Sequence, residues 1–498
     1  MTAAALPGLT VEIGNPPPDA EPLRTDIAGF LVPTHKGPVG VPVRVDGMTS
    51  FIRAFGGFDQ QADTAYAIRG YFENEGQVAW VVRVSGPAAT AGTRWGHGLA
   101  ALPAPAYRIV ATSPGDWANE MAVRIEYRQR GLTGRPEFDV RTSAPDGTVE
   151  YFTGLAPAVL AAGLTISSMI RLTADDGPAV PPPAGRPRPW QLTLGGGTGE
   201  PPGLEAYLAA AETLGDQDEV AIVAAPGMHG ILTGADRDDA VDALITQTGL
   251  ALDRLLVLDV PPDEAAAGRA VAWVQAVRAR HVDGARDVAV YHPPLVVLDP
   301  LGTASRPVRP VPASGHVAGV ISRLDRERGP HHSPANAVLA EAVDLGVAFA
   351  ADEEALLYRS GVNLLRCTRG HGLQVWGSRA VGRDGSIFVA HRRLIHQLVR
   401  AVRTTATPLV FDVNGPELRL ALVRGVTSVL LQAFRTGALQ GDRPDEAFRV
   451  RCDETNNPPE QDPGLVVCEI AVAPATPMEF VRLRLLLGAE GRLEVIEA

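Results

Sequence analysis

The sequence is poor in the residues that most often advertise a chemistry. It has three cysteines, Cys367, Cys452 and Cys468, too few and too scattered for a disulfide framework or a cysteine-based zinc site, and they are expected to be reduced and mostly buried. Lysine occurs once, at Lys36, among 45 basic residues, and 57 acidic residues leave a net charge of −12. That balance gives no attraction to a phosphate backbone, and no basic cluster interleaved with aromatics, only 5% of the chain, offsets it. Nucleic acid is thereby excluded as an expected partner. No run approaches the ~18 apolar residues of a membrane-spanning helix, and the opening residues, MTAAALPGLT and then Pro16, Pro17 and Pro18, lack the basic region of a secretory signal. A cytoplasmic location without stable membrane insertion is expected.

What is present is a globular composition: 498 residues, 45% hydrophobic and 20% charged, enough for several domains. Leu9, Thr10, Val11, Glu12 and Ile13 are a short strand candidate, followed by the polar, proline-rich stretch 14–22; residues 1–22 read as an arm on a linker. Residues 23–86 form an α/β segment, with a buried strand at 27–32, helices carrying Phe51, Ile52 and Phe55 and then Ala65, Ile68, Tyr71 and Phe72, and a second strand at 78–84. From 87 to 197, short alternating runs between turns predict a β-rich inserted domain, ending in a proline-rich tract and the glycines Gly195, Gly196 and Gly197, read as a hinge.

From 198 to 382, helices at 204–214, 235–248 and 263–281 alternate with strands at 220–224, 255–260 and 288–292, predicting a doubly wound parallel layer. A helix at 314–328 and short strands at 362–366 and 373–376 follow. Residues 383–498 read as an α+β domain: helix 391–403, strand 409–413, helix 417–436, and three strands at 447–452, 465–473 and 480–487. Those three are expected to form a meander with Arg449, Arg451, Arg482 and Arg484 on its outer face. The class is α/β and α+β, multidomain.

The sharpest catalytic candidate is Ser113, in Ala111-Thr112-Ser113-Pro114-Gly115, one residue from the nucleophile elbow G-x-S-x-G. In that elbow the residue after serine donates its N–H to the oxyanion, and Pro114 has none to give. His331 and His332 have no i, i+4 or H-E-x-x-H spacing, and Gly195 to Gly199 lacks the lysine of a phosphate loop. No catalytic, cofactor or metal residue is assigned, and no cofactor is expected. A different pattern stands out in the helix at 391–403. Leu394, Ile395, Leu398, Val399 and Val402 form an apolar stripe, while Arg392, His396, Arg400 and Arg403 fall on another face with no acid in the segment. That basic ridge is either a solvated helix face or a docking surface for an acidic partner.

Several segments in one order resemble the phage tail sheath family. They include PGLTVE from Pro7 to Glu12; FGGF from Phe55 to Phe58; Tyr66 to Asn74; and Ser113-Pro114-Gly115-Asp116-Trp117-Ala118-Asn119, similar to SPG-x-WGN. Further on are Pro312 to Gly319, Asp325 to Gly329, Ser333 to Asn336, Ile387 to Leu394, Gly437 to Leu439 and Cys452 to Asn457. The resemblance spans most of residues 7–487 and weakens from about 125 to 190. It implies a structural protein rather than an enzyme: a homo-oligomer of stacked hexameric rings around an inner tube protein, meeting baseplate and terminator or cap proteins, and contracting to drive the tube through a membrane. It also implies a subtilisin-like middle domain and a C-terminal domain completed by the N-terminal segment. On that basis residues 9–13 are expected to be an inter-subunit arm, the alternative being that they pair within their own chain, with Val466, Cys468, Ile470, Val481, Leu483 and Leu485 in the strands that receive or accompany it. Arg392, His396, Arg400 and Arg403 are expected to contact the tube. A serine hydrolase and a non-contracting ring or baseplate protein are the alternatives.

Overall fold

A computed structural model describes residues 24–60, 62–130, 134–177, 189–382, 388–409, 415–458 and 466–475, and the backbone of 483–487 and 493–497. The arm at Leu9 to Ile13 lies outside the described residues, as does Val481.

The apolar runs near the start become Ala28–Pro33 and Ala79–Val84, paired in parallel inside an eight-stranded sheet. Across that sheet the order is Pro42–Val45, Ala79–Val84, Ala28–Pro33, Ile222–Ala224, Leu255–Asp259, Val288–His292, Val362–Thr368 and Gly372–Val375. The inner six strands run parallel, and an antiparallel strand closes each edge. The segment 23–86 therefore supplies three strands to the same sheet as residues 198–382.

Both faces of this sheet are covered, which is why its strands read as continuous apolar runs rather than alternating ones. Phe30, Val32, Val81 and Val257 meet the helices Met48–Phe55, Thr64–Glu73 and Ser314–Arg328 on one side. Leu31, Val82, Leu256 and Val290 meet Leu204–Gly215, Gly234–Ala251, Ala267–Arg280 and Ala351–Arg359 on the other. Each such side chain buried contributes about 1.5–3 kcal/mol.

The inserted segment has its own core around Trp95, Tyr107, Phe138 and Leu160, between a three-stranded and a four-stranded antiparallel sheet. Its glycine run is not the free hinge expected. Thr198–Gly199 pairs with Ala88–Ala89, so the chain enters and leaves the insertion as one short ladder. Asn119 clasps Gly197, donating to its carbonyl at 2.8 Å and accepting its N–H at 2.9 Å. A Cβ on Gly197 would lie 2.2 Å from the Gly115 oxygen, so glycine is required there by close approach.

At the C-terminal end, Val389–Ala406 and Pro416–Arg435 pack together through Leu394, Leu398, Val426 and Leu430. The strand expected at 409–413 is not seen in its described part: Thr407–Leu409 is a 3₁₀ turn, and 410–413 lie outside the described residues. The three-stranded meander is likewise corrected. Phe448–Arg451 pairs with Glu469–Val472, and Leu483–Leu487 pairs instead with a fourth strand, Leu493–Glu497.

The tightest helix crossing is between Thr64–Glu73 and Ser314–Arg328. Cβ atoms added at Gly315 and Gly319 would stand 2.3 and 2.4 Å from the carbonyls of Ala67 and Tyr71. Gly315→Val should lower stability by about 2–3 kcal/mol through forced separation of these helices, measured by thermal or denaturant unfolding.

Candidate functional site

The helix Val389–Ala406 is amphipathic in two senses. Its apolar stripe faces the C-terminal cluster, while its cationic stripe turns toward the amino edge of the parallel sheet. The residues just before four of the parallel strands, Ala28–Pro33, Ile222–Ala224, Leu255–Asp259 and Val288–His292, present carbonyls and acids there. Arg393, 1% exposed, donates to the carbonyl of Ala221 at 2.6 Å, to that of Thr25, and to the Asp325 carboxylate. Arg400 donates to the carbonyls of Asp253 (3.1 Å), Arg24 (3.2 Å), Glu219 (3.3 Å) and Val220. Arg392 and His396 share one Asp287 oxygen, each at 2.7 Å. Arg403 reaches Asp253 at 3.0 Å and the Ala251 carbonyl at 2.7 Å.

This corrects the expectation of an open basic ridge. His396 is fully buried, Arg400 nearly so and Arg392 largely so; Arg403 alone of the four is half-exposed. The physical reason is that a cation leaving water needs acids and carbonyls in compensation, and the sheet edge offers both. Of the residues expected to contact the inner tube, Arg392, His396, Arg400 and Arg403, only Arg403 thus keeps a half-exposed side chain. The sequence reading also passed over Arg393, the most deeply buried cation of the group. Its signal was the spacing: Val389, Arg393, His396, Arg400 and Arg403 recur at four and three residues, the period of a packed helix face.

Burial drives the His396 ring down to about 4, against the pull of Asp287. Burial alone would raise the Asp287 carboxyl, but His396 and Arg392 hold it below its ordinary value. Arg400 falls to about 10 through burial, with Asp253 opposing. At neutral pH the pairing is thus a neutral imidazole donating to a carboxylate, beside guanidinium groups.

Ser113 sits in a structural turn. Its hydroxyl accepts the Gly37 N–H at 2.9 Å, and among the described residues no histidine or carboxylate hydrogen-bonds it. Pro114 gives its carbonyl to Arg83 at 2.8 Å, and the Trp117 indole donates to the Ser113 carbonyl at 3.1 Å. With Asn119 on Gly197, the whole SPGDWAN segment fastens the insertion to the sheet.

The carboxyl edge of the parallel strands, where such sheets usually bind ligands, holds a cavity of about 300 Å³ lined in part by His229, Asp259, Tyr291 and His292. Burial raises Asp259 to about 6, yet its carboxylate is engaged by the Ser314 N–H at 2.9 Å and hydroxyl at 2.5 Å, at the start of Ser314–Arg328. His292 Nε2 lies 2.9 Å from the Ala265 carbonyl. These contacts make a helix start and a loop anchor, not a nucleophile with its base. Among the described residues no group of three His, Cys, Asp or Glu is placed to hold a metal, and no helix is long and apolar enough to cross a membrane.

Of the expected inter-subunit positions, Val466, Cys468 and Ile470 are part-exposed around Glu469–Val472, while Leu483 and Leu485 lie on the backbone of Leu483–Leu487. Each of the two ladders here has two strands among the described residues, and just past Glu469–Val472 the chain bridges to Leu439 through Pro474. The cysteines also differ from expectation: Cys367 is exposed, whereas Cys452 is buried with Cys468 beside it.

Removing one partner of the seam strands the other. Asp325→Ala leaves Arg393 buried without its carboxylate and should cost about 3–5 kcal/mol, whereas Arg403→Ala on the rim should cost under about 1 kcal/mol, both by chemical denaturation. Because folded His396 titrates near 4 and an unfolded histidine near 6.5, the folded chain binds fewer protons between these values. Its contribution to stability is present above pH 6.5 and lost as pH falls toward 4. His396→Gln should make the fall of Tm across that window shallower, read by calorimetry.

Residues 201–381 match the phage tail sheath protein central domain. The tail sheath protein of Vibrio phage KVP40 is 30% identical over 183 residues, which is 35% of this chain and 26% of that protein, so the chain spans about a quarter of that relative's length. The helical sheath of the anti-feeding prophage in its contracted state has the same fold at a TM-score of 0.56 and 18% identity, over 97% of this chain and 99% of that one. A crystal structure of the sheath tail protein from Listeria innocua gives a TM-score of 0.62 at 11% identity, over 91% and 95% of the two chains. The sequence likeness to phage tail sheath proteins is thus confined to the central part of the chain, whereas these solved structures share its fold along nearly all of its length.

Proposed function

We propose that this chain is the structural subunit of a contractile sheath, polymerising as stacked hexameric rings around an inner tube and shortening from a metastable extended state. The observation that carries this reading is the likeness of fold, over 97% of the chain, to a protein described in a contracted helical sheath. A subtilisin-like middle layer stripped of its chemistry, an inserted β domain and a C-terminal α+β domain completed by the N-terminal arm are the architecture that goes with it.

The ladders of Phe448–Arg451 with Glu469–Val472 and of Leu483–Leu487 with Leu493–Glu497, two-stranded among the described residues, support assembly by strand addition. Main-chain hydrogen bonds from a neighbour's segment, residues 9–13, would complete a sheet without demanding a large apolar interface. Links of this head-to-tail kind need not close on themselves, and then they propagate a helix. Contraction draws on a lattice trapped behind a kinetic barrier and needs no nucleotide. Inner tube, baseplate and terminator proteins are the partners, and the subunit is made in the cytoplasm before entering a tail-like particle.

Co-expression with the tube protein from the same gene cluster should give striated tubular particles by electron microscopy, and deletion of residues 1–22 should abolish the extended assembly. Rings that never stack, or stacks that form equally well without residues 1–22, would overturn the reading.

A further inference from the structure

Two cysteines far apart in sequence end up on adjacent strands. In the ladder of Phe448–Arg451 with Glu469–Val472 the last pair is Arg451 opposite Glu469, and one step further places Cys452 opposite Cys468. The hydrogen-bond phase fixes what kind of pair this is. The Ala473 N–H donates to the Ala447 carbonyl at 2.9 Å, so bonded positions fall at every second residue from Ala447, and 452 with 468 is a non-bonded position. There the Cα atoms of an antiparallel ladder approach to about 4.5 Å and side chains share a face, inside the range that a disulfide spans.

Both backbones are held. Asn457, 4% exposed, donates to the Val467 carbonyl at 2.9 Å and accepts the Val467 N–H at 2.6 Å, fixing the residue beside Cys468. The Asp453 N–H donates to Asn456 at 2.9 Å, fixing the residue beside Cys452. Each thiol lies close enough to shift the titration of the other, and Cys468 is only half-buried, which leaves a route for a small oxidant.

We propose that Cys452 and Cys468 are a modification site, a dithiol that closes to an intrachain disulfide when it meets a small disulfide oxidant such as oxidised glutathione. The Cys468 thiolate attacks one glutathione sulfur, expelling a glutathione thiolate and leaving a mixed disulfide. The Cys452 thiolate then attacks the Cys468 sulfur and expels the second glutathione. Two protein thiols are oxidised, one oxidised glutathione is reduced to two thiols, and the protons pass from protein to glutathione. The bond would tie the two strands in register across the intervening residues 453–467, locking the ladder whatever its role in assembly. Burial, with the neighbouring Cys452, pushes the Cys468 thiol up to about 11, so exchange is slow near neutral pH and is best read at equilibrium.

The test equilibrates the purified full chain with glutathione redox mixtures, followed by acid quenching, alkylation and peptide mass spectrometry. Expected is a linked Cys452–Cys468 peptide at ratios where exposed Cys367 carries only glutathione. In guanidinium chloride the linked fraction should fall about tenfold or more, because the folded strands supply the effective concentration. Asn457→Ala should lower it severalfold in the folded chain, and Cys468→Ser should remove it. The proposal is overturned if both thiols remain fully alkylatable, or take up glutathione separately, at a ratio that modifies Cys367, or if the linked fraction is the same folded and unfolded.

Discussion

The constraint on which most of the structure depends is the desolvation of the cations on Val389–Ala406. Arg393 and Arg400 have surrendered water almost completely, and a guanidinium in that position is tolerable only if its donors meet carbonyls and acids in the right places. The amino edge of a parallel sheet is suited to this. Carbonyls from several neighbouring strand entries lie side by side, and here Asp253 and Asp287 precede two of those strands, with Asp325 near the end of a covering helix. The contacts tie together the approach to Ala28–Pro33, the central strands and the C-terminal helices. Such a seam costs too much in desolvation to rank simply as a stabiliser; what it supplies is position, since few other arrangements satisfy all its donors together.

A second consequence concerns where the molecule bends. Glycine and proline are abundant, 52 and 42 residues, and in a sequence such numbers read as flexibility. Yet the crossing into the inserted domain is a paired ladder reinforced by Asn119, by Arg83 on the carbonyls of His35, Gly37 and Pro114, and by Ser113 on Gly37. Glycines there serve close approach. The described body is thus fastened at both of its internal junctions, one by polar clasps and one by buried ion pairs.

Much of the fold was legible because it follows from periodicity alone. The helix at 314–328 and the strand at 288–292 have the expected bounds, and the neighbouring elements differ by a few residues, since runs such as LLVLD and VAVYH are apolar on both faces only in a covered parallel sheet. What was not legible depended on partners distant in sequence. Nothing local in HRRLIHQLVRAVR tells whether its cations face water or Asp253, Asp287 and Asp325, and the default of a solvated face fails when a sheet edge supplies the acids. Cys452 and Cys468 look scattered in the sequence for the same reason: their closeness follows from strand register, which the fifteen intervening residues hide. Ser113 shows the opposite case, where one residue, Pro114, carries enough chemistry in the sequence itself to argue against a nucleophile.

On the proposed reading, the two fastened junctions and the short ladders near the C-terminal end divide the labour of contraction. A subunit that yielded at an internal hinge would dissipate as local deformation the free energy that should move the lattice, whereas one whose bodies are clamped passes motion to its neighbours. Slack then has to reside between subunits, and the polar, proline-containing stretch after residue 13 has the composition of a spacer rather than of a packed element. Main-chain ladders are a fitting joint at such a place. Their hydrogen bonds depend little on side-chain identity, so a strand can stay paired while the body it belongs to turns. The −12 net charge adds a further condition, because like-charged subunits repel unless specific contacts hold them. A joint that survives rearrangement and a body that does not flex are then two halves of the same requirement.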